Sequence, residues 1–249
     1  MGLFDFFGGK PAPRMPGGRH SIFDTDYPIN RRSWEHVLSA CIGPSVIMQE
    51  AFAEQVVQNR GWNVDFGAGT LAFGQDSYPV QFIGSESSLS STWMWGWNNI
   101  NRFDPRILKL AEEMHALGKK WQLSVFTEAQ FDLTETKAGH FLSAAAAVLS
   151  QGKYCYYRGP HAKGAAFMAV SGLPETVFAP APMLVIAETL QRVITQLPVD
   201  HRILTESLLM WNGTNYEWKG DRLSAHADRD LHIDFERSGG VLRIREIRG

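Results

Sequence analysis

The sequence predicts an α+β fold in which antiparallel sheet packs against helices. Three observations carry that expectation. Behind Ser33, apolar residues recur at helical spacing at Trp34, Val37, Leu38 and Cys41. From Trp62 the period falls to two, with Trp62, Val64 and Phe66 alternating before a glycine turn. After Tyr216 the chain closes on three or four short alternating segments. Period-two runs joined by short turns pair as antiparallel strands, and the 3.6-residue pattern marks the helices that cover them.

Taken in order, residues 8–19 are too rich in Gly and Pro to hold a helix or a strand and read as a linker. Residues 1–20 thus comprise a short apolar segment, Leu3, Phe4, Phe6 and Phe7, and its tether. That segment either docks back onto the body or anchors the chain peripherally to a membrane or partner. Residues 21–249 form the α+β body, as a single domain or as two helix-plus-meander halves. The first helical stretch is capped by Ser33, interrupted at Gly43-Pro44 as two helices or one kinked helix, and closed by Gly61. Four strands follow, around Trp62–Phe66, Leu71–Phe73, Tyr78–Ile83 and Trp93–Trp97. Asp104-Pro105 starts a helix that Gly118 stops.

A helix over 137–150 precedes strands at Tyr154–Tyr157 and Ala165–Val170, joined by a turn running from Arg158 to Gly164. Helices over 183–195 and 200–211 lead to strands near 216–218, 222–225, 231–235 and 241–247. Two segments, from Asn63 and from His232, both read apolar-Asp-Phe, glycine turn, Leu. Shared hairpin chemistry accounts for that echo more simply than duplication does.

Composition narrows the function classes. Of 249 residues 44% are hydrophobic, enough for a sizeable core, and the net charge of −2 gives no electrostatic case for nucleic acid as a partner. The two cysteines, Cys41 and Cys155, lie in no ligand-spaced motif, so free thiols in a reducing cytoplasm are expected. No run approaches the ~20 apolar residues of a membrane span, and the N-terminus lacks the basic region of a secretory signal. No cofactor motif is present, since no glycine-rich phosphate loop precedes a helix.

Ser91-Thr-Trp-Met-Trp-Gly-Trp-Asn-Asn is the most distinctive string. Together with Trp62-Asn-Val-Asp-Phe-Gly-Ala-Gly-Thr, Ile83-Gly-Ser-Glu-Ser and Tyr156-Tyr-Arg-Gly-Pro it resembles an uncharacterised bacterial family known only as a domain of unknown function. The resemblance spans roughly residues 33–247. It implies a bacterial cytoplasmic protein and brings no catalytic residues with it.

The residues that could bind follow from chemistry. On one strand Trp93, Trp95 and Trp97 would project to one side, either filling the core or flooring a groove with flat faces. Their indole N–H groups need acceptors if buried, and Ser85, Ser87, Ser90 and Ser91 are near in sequence. Asn98 and Asn101 follow, serving a ligand or a turn. Tyr157, Arg158 and His161 mark the second candidate, where an arginine fork could clamp a phosphate or carboxylate. His226, Asp228, Asp230 and His232 would share one face of one strand, but as a polar outer face rather than a metal centre. The expectation is a non-enzymatic protein binding an unidentified protein or small ligand. An enzyme would instead need Glu86, His140, Arg158 or His161 brought together, which nothing in the sequence does.

Overall fold

The structure, a computed structural model, describes residues 21–133, 138–150 and 153–249. The expected N-terminal apolar segment and the whole of its linker lie outside them, as does Lys137, the expected start of one helix. The described chain divides into two compact units, Met48–Val177 and residues 21–47 together with Phe178–Gly249. Each combines helices with an antiparallel sheet, as an α+β chain should. The division does not follow a simple first and second half, because one unit takes both ends of the described chain.

Helix α1, Trp34–Phe52, begins where Ser33 Oγ accepts the His36 N–H at 3.4 Å. It runs unbroken through Pro44, where an interruption was expected. A proline costs one backbone hydrogen bond, and here burial of the surrounding turns outweighs that loss, since Ala40 to Ile47 are all buried. The helix ends in a single π turn, Ala53–Val57, rather than at Gly61.

The unit of Met48–Val177 holds a seven-stranded sheet. Its strands are β1 (Trp62–Asp65), β2 (Thr70–Phe73), β3 (Asp76–Ser87), β4 (Thr92–Trp95), β5 (Gln130–Asp132), β6 (Cys155–His161) and β7 (Gly164–Val170). The long β3 is shared. Asp76–Pro79 pairs with β2, the stretch from Val80 to Ser87 pairs with β7, and Gly84–Ser87 also pairs with β4. Strand β6 extends the sheet beyond β7. Three helices belong to this unit: α2 (Lys109–Trp121), α3 (Ser124–Thr127) and α4 (Ala138–Leu149).

Two differences from expectation matter here. Gly118 does not stop α2, which continues to Trp121; a Cβ at Gly118 would lie 2.6 Å from Phe126 Cβ, so the glycine admits α3 instead. The turn expected from Arg158 is strand through His161, and only Ala162 and Lys163 connect β6 to β7. Pro160 is tolerated because β6 has a neighbour on one side only among the described strands.

The other unit carries α5 (Met183–Gln196), α6 (His201–Asn212) and a four-stranded meander, β8 (Tyr216–Lys219), β9 (Arg222–His226), β10 (Asp230–Ser238) and β11 (Val241–Arg248). Asp200 caps α6 by accepting the Ile203 N–H at 2.9 Å. Leu223, Ala225, Ile233 and Phe235 are buried on the sheet. Asp234 takes Arg222 in a two-point pair at 2.5 and 3.0 Å and is also paired with Arg248; the Arg222 bonds hold its carboxyl well below the usual range. Asp65, its counterpart in the repeated string, instead caps a turn through the Ala68 N–H. The two aspartates of the echo thus do different work.

His201 gives this unit an acid sensitivity. Its Nδ1 accepts the Ile244 N–H at 3.0 Å and Arg243 lies 3.3 Å from Nε2, so protonation would set donor against donor. Burial pushes its pKa down, and Arg243 adds to that. The unfolded chain then binds the proton more readily than the folded one, so stability is full above about pH 6.5 and falls as pH drops through that value. Urea unfolding measured at about pH 7.5 and about pH 5.5 should show this loss, and a His201→Gln variant should show less of it. An equal loss in the variant would assign the effect elsewhere.

Candidate functional site

Register decides which side chains share a face of the larger sheet. Glu86 is opposite Trp93 on β4 and Ala165 on β7, while Gly84 is opposite Trp95 and Phe167. Phe167 is in turn opposite Arg158, and Ala169 opposite Tyr156. Cross-strand partners point to the same side. Glu86, Trp93, Trp95, Phe167, Tyr156 and Arg158 therefore lie on one face, and α4 packs on it.

The polar groups there are gathered around the Phe167 ring. Glu86 Oε1 accepts the Gly139 N–H at 3.0 Å, in the first turn of α4, where a carboxylate suits the helix dipole. A Cβ on Gly139 would collide with that carboxylate and with Phe167, so only glycine lets the helix start so close to the sheet. Glu86 Oε2 stands 3.7 Å from Arg158 Nε, an ion pair too long to be a hydrogen bond. The Arg158 carbon lies 6.0 Å from the centre of Phe167. His140 Nδ1 is bonded to the Tyr156 hydroxyl at 3.0 Å and sets its ring at 85° to Phe167, 5.4 Å away.

Burial dominates the electrostatics. The Glu86 side chain is 13% exposed and Arg158 23%. Desolvation pushes the Glu86 carboxyl up, against the Gly139 N–H and Arg158, which both favour its charge. It pushes the fully buried Tyr156 phenol well above its ordinary value, so that hydroxyl stays protonated. Two N–H or O–H groups nearby in sequence and buried, Trp93 Nε1 and Ser143 Oγ, have no hydrogen-bond partner among the described residues.

The candidates read from sequence fall in different places. Trp93 and Trp95 are buried core residues stacked edge to face at 5.4 Å. The acceptor for Trp95 Nε1 is the Val125 carbonyl on α3 at 2.8 Å, not a serine of the preceding loop. Trp97 is not on the strand at all. It sits in a 3-10 turn, Gly96–Asn98, stacked on His115 of α2 at 3.9 Å. The expected stripe of three is thus a pair, because the backbone turns at Gly96. Asn98 and Asn101 are exposed. Tyr157 faces the opposite side of β6 from Arg158 and packs on Trp62 and Phe73. His161 is exposed at the far end of β6, where its Nδ1 accepts the Lys163 N–H. Of the named candidates, Arg158 alone joins the polar cluster.

Its companions Glu86 and His140 are among the groups an enzyme would need, and Tyr156 completes the cluster. Period-two alternation along β6 was the signal that pairs Tyr156 with Arg158. The His226, Asp228, Asp230 and His232 set is split by a hairpin: His226 on β9 bonds Asp230 on β10 at 2.7 Å, and Asp228 accepts the Met183 N–H. Among the described residues no group of three such side chains is placed to hold a metal ion.

The fold and cluster define an α+β protein with a largely buried polar cluster under a helix that starts on the sheet. The model of a family of unknown function, DUF6882, matches residues 35–173, more than half of the chain, and the protein belongs to that family. Glu86, His140, Tyr156 and Arg158 all lie inside the matched span. No curated protein and no solved structure matches the chain. No helix among the described residues is long and apolar enough to cross a membrane.

Proposed function

We propose that this is a non-enzymatic binding protein that seats the anionic group of a small ligand on Arg158. The observation that carries the proposal is the geometry of that guanidinium. It is held near Glu86 at 3.7 Å without a hydrogen bond, rests beside an aromatic ring, and is 23% exposed. A guanidinium so placed keeps N–H donors for a carboxylate or phosphate, and its limited exposure favours a small group over a protein surface. Binding is preferred to catalysis because Glu86 is committed to the Gly139 N–H and His140 to Tyr156, whereas acid–base chemistry needs them on one reacting atom. A bacterial, cytoplasmic setting belongs to the same proposal; the two cysteines, buried and in no disulfide, support a reducing compartment, and the net charge of −2 argues against nucleic acid.

The test is thermal unfolding of the full chain against a panel of small carboxylates and phosphate esters. Some member should raise the midpoint in the wild type and not in Arg158→Ala, with the variant still unfolding cooperatively. A shift that survives Arg158→Ala puts the site elsewhere.

A further inference from the structure

We infer that an anion seated on Arg158 displaces the Glu86 carboxylate from it, and that Glu86 then takes up one proton from solvent. This rests on the binding proposal above and adds how the site is regulated. The geometry supplies each part. Glu86 and Arg158 are each other's counter-ion at 3.7 Å, with Glu86 only 13% exposed. The anion would compete for the same guanidinium, and two negative charges cannot share one arginine cheaply out of water. Glu86 is held where it stands, since Oε1 accepts the Gly139 N–H and the carboxylate packs directly against that glycine. The remaining response is neutralisation: the carboxylate becomes a carboxylic acid, and its Oε1 can still accept from Gly139.

Among the described residues, the titratable and charged groups near Glu86 are few. Strand β6 presents Arg158 and Tyr156, and α4 presents the Gly139 N–H and His140. Strands β4 and β7 bring no titratable side chain. Tyr156 is kept protonated by burial, so His140 is the other facing group that could take the proton. Burial already raises the Glu86 carboxyl while Arg158 opposes it, and removing that opposition raises it further.

Sulfate is the probe, because it keeps one charge state from about pH 5 to about pH 8, so any pH dependence belongs to the protein. Its dissociation constant would be read from the Arg158 Nε–H resonance of the full chain across that range. With one linked proton the constant should rise with pH by up to about tenfold per unit between the free and bound pKa values of Glu86. Glu86→Gln should bind at least as tightly and show no slope, while His140→Gln should keep it. A flat wild-type profile with binding that still needs Arg158 overturns the proton linkage but leaves the anion site standing. A slope lost in His140→Gln moves the proton to His140 and also overturns it. Absence of any Arg158-dependent sulfate response at every pH overturns both the linkage and the site. The wild-type slope counts protons by itself, so the test holds even where Glu86→Gln does not fold.

Discussion

Glu206→Ala should destabilise the unit of residues 21–47 and Phe178–Gly249 by about 3–5 kcal/mol, the range for breaking a buried ion pair from one side. The Glu206 side chain is fully buried on α6, and every lone pair is used. Oε1 accepts from Arg202 Nε at 2.7 Å and Trp218 Nε1 at 3.1 Å; Oε2 accepts the Tyr27 N–H at 2.8 Å and the Tyr216 hydroxyl at 3.3 Å. The Arg202 guanidinium is held between the Tyr27 and Trp218 rings at 4.9 and 4.6 Å. Truncation strands four donors, one of them the Arg202 cation. Urea unfolding reads the effect, and a loss under about 1 kcal/mol would mean the cluster is as weak as an exposed pair.

Trp95→Ala should cost about 3–5 kcal/mol in the other unit, as large-to-small changes at buried aromatics do. Trp95 is 1% exposed and packs edge-on against Trp93 and Phe126. Its loss opens a cavity and leaves the Val125 carbonyl without the indole donor. Denaturant unfolding would show a lower midpoint. A near-neutral result would mean that Trp95 is not the core residue its burial makes it, and would return it to the list of ligand contacts.

Elements with strong local signals were legible. Period-two alternation located β1 to β4 and β8 to β11, although β3 runs from Asp76 to Ser87 and β4 stops at Trp95, and Ser33 and Asp200 cap helices as their positions indicate. What failed depended on distant partners. Gly118 looks like a helix stop until α3 is seen lying against it, and the short α3 and β5 carry too few residues for a periodic pattern. Arg158 looks like a turn residue because Gly159 and Pro160 follow it; pairing with β7 keeps the segment extended.

The candidate site was legible only in pieces. Arg158 stood out by type, and Glu86 and His140 were recognisable as chemistry. Their convergence needs β3, β6 and α4 together, separations of 53 to 107 residues being common among the bonds that hold this unit. Glu206 escaped notice for the same reason: Arg202 is one turn away, but Tyr27 is 179 residues distant.

The site itself is most directly tested by a crystal of the full chain soaked in selenate, whose selenium is located by anomalous scattering. Selenate should be found with oxygens about 2.7–2.9 Å from the Arg158 guanidinium nitrogens, on the face carrying Glu86, Phe167 and Tyr156. Ordered selenate at other arginines, with Arg158 still paired to Glu86 alone, would contradict the assignment.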